Sequence, residues 1–154
     1  MRDEALKVMD GFLRAEYGCD ALAGPPLHIG EGAATGVARH WITAWNPLGL
    51  PRDEEANHAD QHALAKDLGA AGLVAASGFA RSPANAPPPR WCEPCAVIQD
   101  APDAAVDALA QRYRQLAIVV WRPGETARLR CYRRVWRERF GITDMDARNV
   151  EWVA

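Results

Sequence analysis

The chain has 154 residues, 49% of them hydrophobic and 25% charged, a composition of ordinary globular domains that excludes disordered, collagen-like and membrane-spanning chains. A chain of this length buries roughly two thirds of its unfolded surface, so a single domain can hold a core without metal or disulfide staples. The formal net charge of -2 excludes a globally basic nucleic-acid binder, while leaving room for local patches.

Leu6, Met9, Leu13 and Tyr17 recur at helical spacing and predict an amphipathic helix over residues 3–17 that stops at Gly18. Its charges leave no apolar run for an export signal, so cytoplasmic residence is expected, with Cys19, Cys92, Cys95 and Cys131 as reduced thiols. Gly24, Pro25 and Pro26 break the chain, and Leu27 to Ile29 is a short strand candidate inside a glycine-rich loop. Residues 37–45, rich in β-branched and aromatic side chains, predict the first core strand, which stops at Asn46-Pro47. Pro51 to Glu55 suit a helix start, and Asn57, Gln61, Leu64 and Leu68 share one face of a helix ending near Gly69 or Gly72.

Leu73 to Ala80 predicts a buried strand, and the surrounding weakly polar stretch falls short of the roughly 20 residues of a membrane span. Ser82 to Pro89 is a proline-rich loop, followed by a strand over Cys95 to Ile98. Asp100, Pro102 and Asp103 start a helix whose apolar face is Val106, Leu109, Ala110 and Tyr113. Ala117 to Trp121 and Arg128 to Arg133, around the turn Pro123-Gly124, read as a hairpin, and Trp152 and Val153 are expected to cover an edge of the core.

The predicted order is that of an α+β sandwich: one domain over 1–154 with a ferredoxin-like (split βαβ) sheet, an extra C-terminal strand and an N-terminal helix. Within it, residues 1–18 form the helix, 36–121 the core, and 122–154 a basic hairpin and tail. Two helical crossovers are too few for a doubly wound parallel sheet.

Trp41-Ile42-Thr43-Ala44-Trp45-Asn46-Pro47, Glu55-Ala56-Asn57, Trp91-Cys92-Glu93 and Gln115-Leu116-Ala117 together resemble a bacterial family known only as domain of unknown function 3293, over roughly residues 36 to 121. The resemblance implies that Thr43, Asn46, Asn57, Glu93 and Gln115 are family-type positions; it implies no activity and no cofactor. Physically, Pro47 should force an extended backbone on Asn46 and project its amide past the end of the strand. Asn57, on the inward face of its helix, must find a partner or cost about 1 to 3 kcal/mol, and Asn46 is the obvious one. Glu93 and Gln115 arrive from other elements, so these groups can converge on one crevice that binds a small polar or anionic molecule. Glu93 is its one candidate acid or base, and a carboxyl beside Trp91 invites a raised pKa. The competing expectation is that these side chains cap helices and satisfy loop backbone.

Residues 112–139 hold nine arginines against two acidic residues, half the positive charge of the chain. Strand alternation would put Arg128, Arg130, Tyr132 and Arg134 on one face, and with Trp136 nearby this is the pairing of charge and stacking that single-stranded nucleic acids use. A nucleic-acid or protein interaction module is therefore the alternative, against a plain charged edge strand. Trp91-Cys92-Glu93-Pro94-Cys95 looks like the thioredoxin motif but leads into a strand and not a helix N-terminus, which leaves thiol redox chemistry a weak third reading. His58 and His62 have a metal-ligand spacing without the glutamate of zinc hydrolases, and the glycines at 30, 32 and 36 match no nucleotide fingerprint, so no metal or cofactor is expected.

Overall fold

The computed structural model describes residues 1–32 and 36–154. Among them lie four helices, α1 (Arg2–Arg14), α2 (Glu54–Ala70), α3 (Asp103–Arg112) and α4 (Arg133–Phe140). Seven strands accompany them: β1 (Glu16–Cys19), β2 (Arg39–Ile42), β3 (Ala75–Arg81), β4 (Cys92–Gln99), β5 (Ala117–Trp121), β6 (Arg128–Tyr132) and β7 (Val150–Val153). The fold is a single α+β domain in which the strands form one mixed sheet, ordered β1-β3-β4-β2-β5-β6-β7 and curled into a half-barrel. Every neighbouring pair is antiparallel except β6 with β7. The curl brings distant strands together: Trp41 Nε1 donates to Gly18 O at 2.9 Å although β3 and β4 separate β1 from β2 in the sheet.

The sheet is wider than the sequence pattern predicts. Glu16 to Cys19, expected to close the first helix, is an edge strand paired with β3, and Leu27 to Ile29 supplies only a single bridge, Leu27 to Tyr17. The hairpin ends at Tyr132, where the chain turns directly into α4. Arg134 is therefore a helical residue, and the expected row of Arg128, Arg130, Tyr132 and Arg134 does not form. Tyr132, Val135, Trp136 and Phe140 instead make one buried helical stripe, closed by Gly141 at φ 73°. The C-terminal tail becomes β7 alongside β6.

Pro94 sits inside β4, between β3 and β2, without breaking it. β2 pairs with β4 only from Ala96 onward, so Pro94 has a single strand beside it and its missing N–H removes no ladder bond on the β2 side. Gly18 is required where it stands: a Cβ there would lie 2.2 Å from the Phe79 ring. No helix among the described residues is long and apolar enough to cross a membrane.

Candidate functional site: a carboxamide relay ending at Glu93

Past the end of β2 the backbone turns sharply. Asn46 takes φ 47°, ψ 65°, and Leu48 follows at φ 62°. The expectation of an extended Asn46 before Pro47 is thus corrected: the residue is left-handed, a conformation that costs an L-residue about 1 to 2 kcal/mol and that asparagine tolerates best. Its partner explains why. Asn46 N donates to Asn57 Oδ1 at 2.8 Å, and Asn57 Nδ2 donates to Asn46 Oδ1, also at 2.8 Å. The left-handed turn is what lets one amide grip both the backbone and the side chain of the other.

Asn57 lies in the first turn of α2, started by Asp53, whose carboxylate accepts from Ala56 N at 2.8 Å. It is 1% exposed, on the face that also buries Leu64 and Leu68. Arg52 Nε donates to Asn57 Oδ1 at 2.7 Å, and its Nη2 pairs with Asp60 at 2.7 Å. Because Asn57 Oδ1 accepts from two donors, the amide orientation is determined, and Asn46 must turn its nitrogen away from Asn57. That Asn46 amide lies near Glu93 on β4, close enough to work against the rise of its carboxyl pKa. Arg52, Asn57 and Asn46 form a head-to-tail hydrogen-bonded chain with a cation at one end and its other end turned toward the Glu93 carboxyl, an order in which each dipole strengthens the next.

Thr43 and Gln115 frame the same region. Thr43 Oγ1 donates to Pro94 O at 2.8 Å, and Trp45 N donates to Thr43 Oγ1 at 3.1 Å. Gln115 Nε2 donates to Trp45 O at 3.2 Å. Gln61, read from the sequence only as a helix-face residue, accepts from Ala44 N at 2.9 Å, and its Oε1 stands 3.1 Å from Thr43 Oγ1 as an alternative acceptor for that hydroxyl, tying α2 to the end of β2. Thr43, Glu93 and Gln115 line a common cavity of about 40 Å³ together with Tyr17, Trp91 and Cys95. That volume takes a water molecule or the polar end of a larger one. Burial pushes the Glu93 carboxyl up to about 7, with the Asn46 amide acting against the rise. Of the five sequence-predicted residues, Thr43, Glu93 and Gln115 share the cavity, while Asn46 and Asn57 pair with each other beside it and do not line it; Arg52 and Gln61 adjoin the same region and carry no sequence signal beyond their position near Asn57.

The arginine-rich segment is built differently from the expectation. Tyr132 and Trp136 are each 0% exposed and present no ring to a base, their polar atoms being taken by Asp107 and by Leu116 O. Arg130 is forked onto Asp107, at 2.8 and 2.7 Å, and contacts Glu151 at 2.5 Å. Arg122 bridges Glu151 at 2.7 Å and Asp103 at 2.9 Å, and Asp103 also meets buried His40 Nε2 at 2.8 Å. Burial, the largest single influence, would raise the Asp103 and Glu151 carboxyls, but the hydrogen bonds and charges of Arg122 and Arg130, joined at Asp103 by His40, together outweigh it and hold both below the ordinary carboxylate range. Two of the nine arginines, Arg122 and Arg130, thus fasten α3 and β7 to the sheet. The acidic partners, Asp103 and Asp107 one helical turn apart and Glu151 in the tail, lie outside the basic segment and escape a count by segment.

Cys92 and Cys95 both belong to β4, Cys92 exposed and Cys95 buried. Three residues of extended chain span about 10 Å, beyond the reach of a disulfide. Burial raises the Cys95 thiol far above its usual range, the reverse of an activated thiol. His58 lies edge-on to Trp45, with ring centroids 4.9 Å apart. Among the described residues no group of three or more His, Cys, Asp or Glu is placed to hold a metal ion.

No curated protein and no solved structure matches this chain. One family model does, over residues 42–118, the stretch that runs from the end of β2 into β5 and contains all five polar positions of the relay and its cavity. On that match the chain belongs to the family described as Protein of unknown function (DUF3293).

Proposed function

We propose that the protein binds a small polar ligand at the end of β2, with Thr43, Asn46, Asn57, Glu93 and Gln115 as its site and Glu93 as the group that exchanges a hydrogen bond or a proton with it. The observation that carries this reading is the Glu93 carboxyl, facing a small cavity at the end of the Arg52-Asn57-Asn46 chain and raised by burial to about 7. Such a carboxyl donates or accepts according to small changes in pH, whereas a structural carboxylate is normally held low by a cation. The 40 Å³ space admits one terminal group, an amide, amine or hydroxyl, with the rest of the ligand outside. Catalysis is not assigned: the Cys95 thiol that shares the cavity with Glu93 is buried and its pKa is raised, the reverse of an activated nucleophile.

The finer fold reading belongs to the same proposal. The inner strands run β3-β4-β2-β5, all antiparallel, with α2 and α3 as the crossovers, which supports a split βαβ core flanked by β1, β6 and β7. Four free cysteines support residence in a reducing compartment, the cytoplasm. The nucleic-acid and redox alternatives have less support, because the aromatic residues of the first are buried and the two thiols of the second are held apart along one strand.

The test is a thermal-shift screen of small amides, amines, hydroxy acids and nucleotides at neutral pH, since a ligand that binds the folded state raises its stability by mass action. A hit should lose its effect in both Asn57→Ala and Glu93→Gln while circular dichroism remains native. A hit that stabilises both variants as it does the parent refutes the site.

A further inference from the structure

A second, larger concavity lies at the opposite end of β2. The segment after β1 crosses from the sheet edge to β6, where Gly30 N donates to Ala127 O at 2.8 Å and Ala127 N to Glu31 O at 3.0 Å. It covers the mouth of the curled sheet and leaves a cleft of about 480 Å³, the size of small-molecule sites that commonly occupy such mouths. Alternation along β2 puts Arg39, Trp41 and Thr43 on one side of the strand: Arg39 lines the cleft, Thr43 lines the small Glu93 cavity, and Trp41 lines both. Tyr17, Phe79 and Trp121 complete the aromatic wall.

Arg39 is the unusual member. Arg122 and Arg130 are each held by two carboxylates, whereas Arg39 pairs with none among the described residues, and its buried Nε has no hydrogen-bond partner there. Its guanidinium lies over the Trp121 ring, the β5 residue opposite it in register, with Cζ 6.0 Å from the ring centroid. A guanidinium fixed against an indole with its donors unspent is arranged to take a planar oxyanion two-pronged, and a carboxylate matches that fork. The Trp41 indole N–H is already used by Gly18 O, and Glu31 at the rim stands 3.4 Å from His28. Arg39 is thus the cationic anchor, and apart from Glu31 at the rim the wall is largely apolar, with the rings of Tyr17, Trp41, Phe79 and Trp121 beside leucine and proline side chains.

We infer that this cleft binds a planar, largely apolar molecule bearing a carboxylate, with the carboxylate on Arg39 and the ring against Trp121 and Phe79. The inference is independent of the Glu93 site, which shares only Tyr17 and Trp41 with the cleft.

The experiment follows the indole N–H signals of the six tryptophans by ¹H–¹⁵N NMR while cinnamate, and separately its neutral amide cinnamamide, is titrated into the full chain. Cinnamate should shift the Trp41 and Trp121 signals saturably, and cinnamamide should bind at least about tenfold more weakly, the loss of one charge-assisted fork. Arg39→Gln should weaken cinnamate by a similar factor and leave cinnamamide unchanged, while Glu93→Gln should alter neither. Equal binding of acid and amide, no saturable shift with cinnamate, or unchanged cinnamate affinity in Arg39→Gln overturns the inference. Should Arg39→Gln fail to fold, the comparison of acid with amide in the parent protein decides it alone.

Discussion

Replacing Glu93 by Gln should make the protein more stable at alkaline pH and leave it nearly unchanged under mildly acidic conditions. In the folded chain the carboxyl is pushed up to about 7 from its ordinary value of 4.5, because burial penalises its charge. The folded state then binds a proton more tightly than the unfolded one, so stability falls as pH rises from about 4.5 to 7 and is flat above. A shift of this size corresponds to about 3 kcal/mol of lost stability at pH 8. Glutamine keeps the neutral shape and cannot ionise, so Glu93→Gln should recover most of that loss, raising Tm by about 6 to 12 °C at pH 8 for a domain of this size. Asp103 and Glu151 act in the opposite sense: their lowered pKa values contribute stability that is lost as pH falls below the ordinary carboxylate values of 3.8 and 4.5, outside the window used. Urea denaturation of the parent and variant at pH 5 and pH 8 measures the difference. A stability gap between the two proteins that is the same at both pH values would refute the assignment of the buried carboxyl.

Asn57→Ala should cost about 1 to 3 kcal/mol in urea denaturation, since it leaves the part-buried Asn46 N–H and Arg52 Nε without their shared acceptor and releases the left-handed turn; a loss under about 0.5 kcal/mol would contradict the relay. Glu151→Gln removes the carboxylate that joins Arg122 and Arg130, and should cost about 2 kcal/mol while speeding hydrogen exchange at the β7 amides more than at β2. Gly18→Ala should destabilise by about 1 to 3 kcal/mol by overpacking against Phe79, and Phe79→Leu in the same chain should restore part of it. Brief alkylation followed by peptide mass analysis should modify exposed Cys92 well before buried Cys95, and equal rates at the two thiols would argue against their separation along β4.

The parts of the molecule legible from residues are those where a local pattern and the tertiary environment agree. The inward stripe Asn57, Leu64 and Leu68 of α2 and the hairpin of β5 and β6 follow directly from periodicity and turn chemistry. Asn57 announces itself because a buried amide demands a partner. β1 is a different case: four residues next to a helix, with no turn signal between them, become a strand only because β3 lies alongside. α4 is hidden by its arginines, although Tyr132, Val135, Trp136 and Phe140 have helical spacing and Gly141 marks the stop. Asn46 shows a local rule overridden, the extended preference before proline giving way to two hydrogen bonds with Asn57. The ion-pair lattice of Asp103, Asp107 and Glu151 with Arg122 and Arg130 depends wholly on tertiary approach, and no spacing in the chain encodes it.

The account turns on Glu93 being a proton carrier near neutrality, and a direct titration of its side-chain carboxyl by ¹³C NMR tests that most sharply. A midpoint near 7 that moves when Asn57 is replaced by Ala is the predicted result. A midpoint near 4.5, indifferent to Asn57, would mean that the carboxyl is ordinarily solvated and that the chain of amides leads to no working group.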